Sequence, residues 1–321
     1  MRVFLTGATG FLGAHLLTAL RSAGHDVRVW ARASSDVSGL GDVEVRRGSL
    51  HDGDALAVAM AGCDAVLHAA GGGKVLRIAE VYRDNAESTA TLLDAAERAG
   101  VTRFALVSSL AAGGGGPRPR TERDAPRPAS HYGKSKLLAE RHALDRRERM
   151  RVVVVRPPAV YGPGDTRMVP LFSAAARGVL PMVEPNGSLS LVYGADCARA
   201  LVLALEADVP SGRVYYVSDG EPYARREFAR LIGAAVGRSV RVVPVPTAAV
   251  VVAGALNEAV GRLRERSVVL SRDKVADIRV PHQTCDAAFI RAELGWAPTL
   301  RFDEGARVTA EAYRDAGWLT R

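Results

Sequence analysis

The apolar positions come first in short strand-length runs, some continuous and some alternating with charged residues. Val3-Phe4-Leu5 opens the chain, and Val27-Arg28-Val29-Trp30, residues 43–46, residues 64–68 and residues 104–108 repeat the pattern. Between these runs the period changes. Leu12, His15, Leu16, Ala19 and Leu20 recur at three- and four-residue steps, the spacing of one helix face. Strand-length runs alternating with helical stretches predict βαβ units. The fold class expected is therefore α/β, a doubly wound parallel Rossmann-like sheet. A long helix is predicted over about 79–98, stopped by Gly100, and another from Tyr132 to about Arg147. Four consecutive valines in residues 151–156 predict a strand buried on both faces.

Beyond Pro157 the pattern loosens into Pro/Gly turns and short helices, with strand signals near 189–193 and 213–217. Asp286 suits a helix N-cap, Gly295 a helix stop, and residues 303–315 a last helix. This divides the chain into a dinucleotide-binding part, 1–156 with 190–218, and a smaller intertwined substrate-binding part, 157–189 with 219–321. Residues 113–130, with four consecutive glycines and four prolines, are expected to be a mobile loop. The apolar stretch 244–256 is expected either to line a substrate pocket or to cover the sheet as a core helix.

Composition narrows the classes of function. With 321 residues, 48% hydrophobic and 24% charged, the chain has ordinary globular composition. Cys63, Cys197 and Cys285 are far apart and match no zinc or disulfide spacing. That points to a reducing cytoplasm and to no metal. The Met1-Arg2-Val3 start runs directly into a strand, leaving no room for a signal peptide, and the longest apolar run, about 248–256, is too short to span a membrane. The net charge of +8 is interleaved with acids, as in residues 146–149 and 262–266, so no nucleic-acid stripe is expected. A homodimer is admitted, without a residue that requires it.

The candidate chemistry begins at residue 6. In Thr6-Gly7-Ala8-Thr9-Gly10-Phe11-Leu12-Gly13, Gly7 permits a tight turn, Gly10 admits a pyrophosphate close to backbone, and Gly13 lets the helix pack on the sheet. Tyr132 and Lys136 stand four apart on the predicted helix, so hydroxyl and ammonium share a face. A neighbouring cation favours tyrosinate and is expected to lower a hydroxyl pKa that starts near ~10. Ser108 and Ser109 end the fifth predicted strand, where doubly wound folds place their sites. Gly71-Gly72-Gly73-Lys74 reads as a rim near the cofactor. After the second strand, Ala31 occupies the position where NAD-preferring folds carry an acid, and Arg32 follows. A guanidinium there grips a 2′-phosphate, with Ser34 and Ser35 adding hydroxyls, so NADP(H) is expected over NAD(H).

Taken together, TGATGFLG at the start, residues 68–70 after the fourth strand, Asn85, Ser108-Ser109 and Tyr132-Gly-Lys-Ser-Lys136 resemble the extended short-chain dehydrogenase/reductase family. That family includes NAD-dependent epimerases and dehydratases, 3β-hydroxysteroid dehydrogenases and dihydroflavonol reductases. Residues 156–165 and Asp196 extend the resemblance over nearly the whole chain. It implies a catalytic set of Ser109, Tyr132 and Lys136, with Tyr132 exchanging a proton with the substrate oxygen. It implies cofactor contacts at Gly7, Thr9, Gly10, Phe11, Leu12 and Gly13, at Ser49 and Leu50 for adenine, and at Ala69, Ala70, Lys136, Pro157 and Val160. Nucleotide-sugar members commonly carry asparagine where Ala159 stands and histidine near Tyr193. Those departures favour an oxidoreductase of a small carbonyl or alcohol substrate. The alternatives are a nucleotide-sugar epimerase or dehydratase with internally recycled NAD, and a dinucleotide-sensing protein without turnover.

Overall fold

The computed structural model describes residues 1–72, 77–263 and 272–319. Gly73 and Lys74 of the glycine-rich rim, and residues 264–266 of the basic run, lie outside the described residues. From the N-terminus the elements run β1 (Arg2–Thr6), α1 (Phe11–Ser22), β2 (Asp26–Ala31), β3 (Glu44–Arg47), α2 (Gly53–Met60) and β4 (Ala65–His68). They continue with α3 (Ile78–Tyr82), α4 (Ser88–Arg98), β5 (Arg103–Val107), α5 (Leu110–Gly113), α6 (His131–Leu144) and β6 (Arg151–Arg156). The middle of the chain adds β7 (Ala159–Tyr161), α7 (Val169–Ala176), β8 (Val179–Met182), β9 (Ser188–Leu189), β10 (Leu191–Tyr193), α8 (Gly194–Glu206) and β11 (Arg213–Tyr216). It closes with β12 (Tyr223–Ala224), α9 (Arg225–Val236), β13 (Arg241–Pro244), α10 (Thr247–Leu263), α11 (Arg272–Ile278), β14 (His282–Gln283), α12 (Ala288–Leu294) and α13 (Phe302–Asp315).

Seven strands form one parallel sheet in the order β11-β6-β5-β4-β1-β2-β3. The chain starts at β1, builds outwards to β3, then returns to β4 on the other side. The crevice between β1 and β4 is the switch point at which doubly wound sheets bind ligands. The four valines of β6 show why both faces are apolar. Val153 and Val155 pack into the core under α1 and α8, whereas Val152 and Val154 pack into the core under α2, α4 and α6. A third core, rich in aromatics, holds the C-terminal elements together: Tyr161 and Phe228 lie 4.8 and 4.9 Å, centroid to centroid, from Phe302.

Two expectations need correction. The helix over 79–98 is not regular, because a π-turn at Arg83–Glu87 separates α3 from α4. There the Ser88 and Thr89 hydroxyls donate to the carbonyls of Asp84 and Asn85 (2.8 and 2.6 Å), competing with the regular ladder. The stretch 244–256 does not cover the sheet as a core helix. It contributes to β13 and α10, which packs against α11 and leaves Val252 and Leu256 exposed. Residues 113–130 are more firmly tied than their glycines suggest. Arg127 N donates to Gly113 O, Arg120 N to Thr284 O, and Asp286 N to Arg120 O, each at 2.9 Å. The Glu122 carboxylate takes the Tyr216 N–H at 2.9 Å.

Candidate active site

The glycine turn between β1 and α1 leaves space that only glycine can leave. Gly7 has φ +78°, and a Cβ there would lie 2.7 Å from the Ala69–Ala70 peptide. A Cβ on Gly13 would sit 1.9 Å from the Gly7 carbonyl oxygen, so the first turn of α1 packs directly on the loop. Gly10 is the N-cap of α1. It makes no side-chain cap bond, and the first turn carries no acid. Uncapped N–H groups at the positive end of a 12-residue helix suit an anion. Thr9 is exposed beside them, with Phe11 and Leu12 partly exposed. These residues fit a dinucleotide pyrophosphate.

Across the crevice, Ala69 and Ala70 are set by a buried chain whose polarity can be worked out. The Thr89 hydroxyl donates to Asn85 O, so its oxygen accepts from His68 Nε2–H at 3.0 Å. His68 Nδ1 therefore accepts from the Thr6 hydroxyl at 2.7 Å, and the Thr6 oxygen accepts the Ala70 N–H at 3.2 Å. Burial, helped by the charge of Lys136, holds His68 neutral with its pKa down at about 3. Asn85, in the π-turn, joins this wall to α6: its amide donates to Gly72 O and to Ser135 Oγ, both at 3.0 Å. Its position rests on the π-turn, which hydrophobic spacing does not reveal.

Ser109, Tyr132 and Lys136 come together at the C-terminal edge of the sheet. Ser109 caps the short α5, its oxygen accepting from Ala111 N at 3.1 Å, and it stands near enough to the Tyr132 hydroxyl to favour its ionised form. Lys136 lies one turn along α6 and is buried, its Nζ donating to Val107 O at 2.7 Å. Burial pulls its pKa down to about 8, partly opposed by Glu140. The expected lowering of Tyr132 is not what the site produces. Burial pushes its hydroxyl above the ordinary value; Ser109 works against that, Asp277 adds to it, and Arg167 opposes it. The ammonium is occupied by the Val107 carbonyl, so burial outweighs it.

Two groups of residues that spacing alone did not single out surround this set. Behind it, Ser108 donates to the Glu140 carboxylate, which also takes Arg156 Nε (2.8 Å) and Nη2 (2.6 Å). Arg156 Nη1 reaches the Tyr216 hydroxyl at 2.9 Å. Glu140 was within reach of sequence reading, since it stands four residues after Lys136. Beside the tyrosine, Asp273 on α11 accepts the first N–H groups of α6, from His131 (2.6 Å) and Tyr132 (3.0 Å). Asp277, one turn on, is buried and raised in pKa by that burial, with Ser130 working against the rise.

The remaining expected contacts are spread around the crevice. Arg32 is exposed just after β2, and Ser49 is exposed with its oxygen taken by His51 N at 3.1 Å. Leu50 packs on the core beneath α2. Pro157 is buried, its carbonyl accepting from Leu110 N at 2.8 Å. Val160 pairs with Val192 in a short parallel ladder. Arg167 reaches the Val160 carbonyl at 3.4 Å, bonds Asp165 at 2.7 Å, and stands 5.6 Å from the Phe11 ring centroid. Among the described residues no cluster of three or more metal-ligating side chains occurs, and no helix is long and apolar enough to cross a membrane.

The chain is similar to known proteins over most of its length. Residues 3–218 match the model of the NAD dependent epimerase/dehydratase family. A ceramide reductase of Caulobacter vibrioides is 32% identical over 324 residues, covering 99% of this chain and 96% of its own. A 3 beta-hydroxysteroid dehydrogenase/Delta 5-->4-isomerase of Mycobacterium tuberculosis is 33% identical over 74% of this chain and 70% of its own. Among solved structures, MoeE5 in complex with UDP-glucuronic acid and NAD superposes with a TM-score of 0.81 at 26% identity, covering 98% of this chain and 100% of that one.

Proposed function

Since this chain belongs to the NAD-dependent epimerase/dehydratase family of extended short-chain dehydrogenases/reductases, enzymes that bind a nicotinamide dinucleotide, we propose that it is an NADP(H)-dependent reductase of a small ketone, running in reverse on a secondary alcohol. The observation that carries the reading is the placement of Ser109 beside Tyr132, with the Lys136 ammonium one turn along the same helix. Tyr132 gives its hydroxyl proton to the substrate oxygen. Ser109 donates a hydrogen bond to the same oxygen. Lys136 keeps a positive charge beneath the tyrosine and is the residue that would hold the ribose. When bound, the nicotinamide supplies the hydride. Residues 1–156 with 190–218 form the dinucleotide half in this reading, and 157–189 with 219–321 the substrate half.

The preference for NADP(H) rests on Ala31 and Arg32. Ala31 closes β2 without an acid, and Arg32 is exposed where a 2′-phosphate would lie. A cytoplasmic setting suits three free, buried thiols. Epimerisation or dehydration of a nucleotide sugar draws on the likeness to the UDP-sugar complex. Against it stand Ala159 and Tyr193, which offer neither amide nor imidazole, and the carboxylates of Asp273 and Asp277 beside the tyrosine, which disfavour a diphosphate nearby. The relatives' names, a ceramide reductase and a hydroxysteroid dehydrogenase, lean towards an apolar carbonyl substrate.

Following NADPH absorbance across a panel of apolar ketones tests the reading. Stoichiometric NADPH consumption with formation of the alcohol is expected. Turnover of a nucleotide sugar with no net change in the cofactor would overturn it.

A further inference from the structure

The turn after β2 is held from the neighbouring strand. Arg47 closes β3 in register with Ala31. Its Nη1 donates to three carbonyls of that turn: Arg32 at 3.3 Å, Ala33 at 2.9 Å and Ser35 at 3.1 Å. The turn is also closed internally, Ser35 N donating to Arg32 O at 3.0 Å. The platform under Arg47 is firm. Gly48 N donates to Ala31 O at 3.0 Å, and the Trp30 ring fills the space that a side chain at 48 would need. Asp36, the acid in this turn, has its carboxylate turned to Ser38, accepting from N (2.9 Å) and Oγ (2.8 Å).

A trans peptide directs its N–H opposite to its C=O. With the carbonyls of Arg32, Ala33 and Ser35 drawn to one guanidinium, the N–H groups of Ala33, Ser34 and Asp36 are directed away from it. The Arg32 guanidinium and the Ser34 hydroxyl belong to the same turn. The oxygens that would repel a phosphate are thus gathered on the Arg47 side, and the donors are left on the other.

We propose that Arg47 is the positioning residue for cofactor choice, fixing the 32–36 turn from which Arg32 grips the 2′-phosphate. The inference rests on the NADP(H) reading above and adds to it a residue from a different strand, fifteen positions further along the chain. Arg47 acts through the turn, so its effect depends on Arg32 being present.

The test is a double-mutant cycle on the full chain, titrating NADPH and NADH into wild type, Arg32→Ala, Arg47→Ala and the double variant. Arg47→Ala is expected to weaken NADPH about tenfold, the worth of roughly one charge-assisted hydrogen bond, and to change NADH by less than about twofold. The unchanged NADH affinity also shows that the variant is folded. In the Arg32→Ala background the further loss from Arg47→Ala should shrink to under about twofold, the non-additivity of residues acting as a unit. Raising the salt should leave the Arg47 effect in place, whereas attraction through space is screened. A silent Arg47→Ala beside an effective Arg32→Ala overturns this inference alone. So does a loss that is additive with Arg32→Ala or vanishes in salt. A wild type that prefers NADH, or an Arg32→Ala that keeps full preference for NADPH, overturns the NADP(H) reading itself and this inference with it.

Discussion

Replacing Glu140 by glutamine probes the foundation of the site. The carboxylate takes two donors from Arg156, at 2.8 and 2.6 Å, and a third from the Ser108 hydroxyl. Glu140 is 1% exposed and Arg156 5%. The amide removes the counter-charge and leaves the guanidinium buried, with the Tyr216 hydroxyl at 2.9 Å as a neutral partner. Breaking a buried pair in this way costs about 3–5 kcal/mol, whereas replacing both partners by apolar side chains of similar volume is often near neutral. Glu140→Gln should therefore unfold at clearly lower urea than wild type. The double change Glu140→Leu with Arg156→Met should recover much of the loss, followed by intrinsic tryptophan fluorescence. The same substitution acts on Lys136, whose charge Glu140 supports against burial. Without that support the lysine loses its proton more readily, so the alkaline limb of the rate profile should move below the position set by its present value of about 8. A single variant costing less than about 1 kcal/mol, or a double variant as costly as the summed singles, would refute this account of the pair.

Tyr132→Phe should leave NADPH affinity unchanged and lower kcat by roughly 10²–10⁴, the worth of a positioned acid; full activity on the true substrate would remove it as the proton donor. Activity that needs the Lys136 ammonium should fall as pH rises through about 8, read from kcat against pH. Its depressed pKa also means that, between about 8 and the ordinary 10.5, the unfolded chain holds a proton the folded one does not, so this group adds stability as pH rises across that window. Gly13→Ala places a Cβ 1.9 Å from the Gly7 carbonyl oxygen, backbone against backbone, and should abolish dinucleotide binding in a fluorescence titration.

What was legible in the sequence was whatever a local period can carry. The runs at Val3, Val27, Phe104 and Val152 became strands of one parallel sheet, β1 beside β2 and β5 beside β6, because a parallel sheet is covered on both faces. The glycine turn was legible because each glycine answers to a contact within the same βα unit or its neighbour, as the short Cβ distances at Gly7 and Gly13 record. Tyr132 and Lys136 were legible as one face of one helix. The π-turn at Arg83–Glu87 was not, since one extra residue in a turn barely alters hydrophobic spacing.

The remaining features depend on distance along the chain. Asp273 caps the helix of Tyr132 from 141 residues away, and Arg103 reaches the last carbonyls of α8 across more than a hundred. No pattern in a single sequence pairs such positions. The sign of the Tyr132 shift was misjudged for the same reason. A cation four residues away argues for a lowered hydroxyl pKa, but the long-range fold buries that hydroxyl and gives the ammonium to the Val107 carbonyl. A raised pKa keeps the tyrosine protonated at neutral pH, the form that donates to a ketone oxygen, and at the same time makes that hydroxyl a weaker acid.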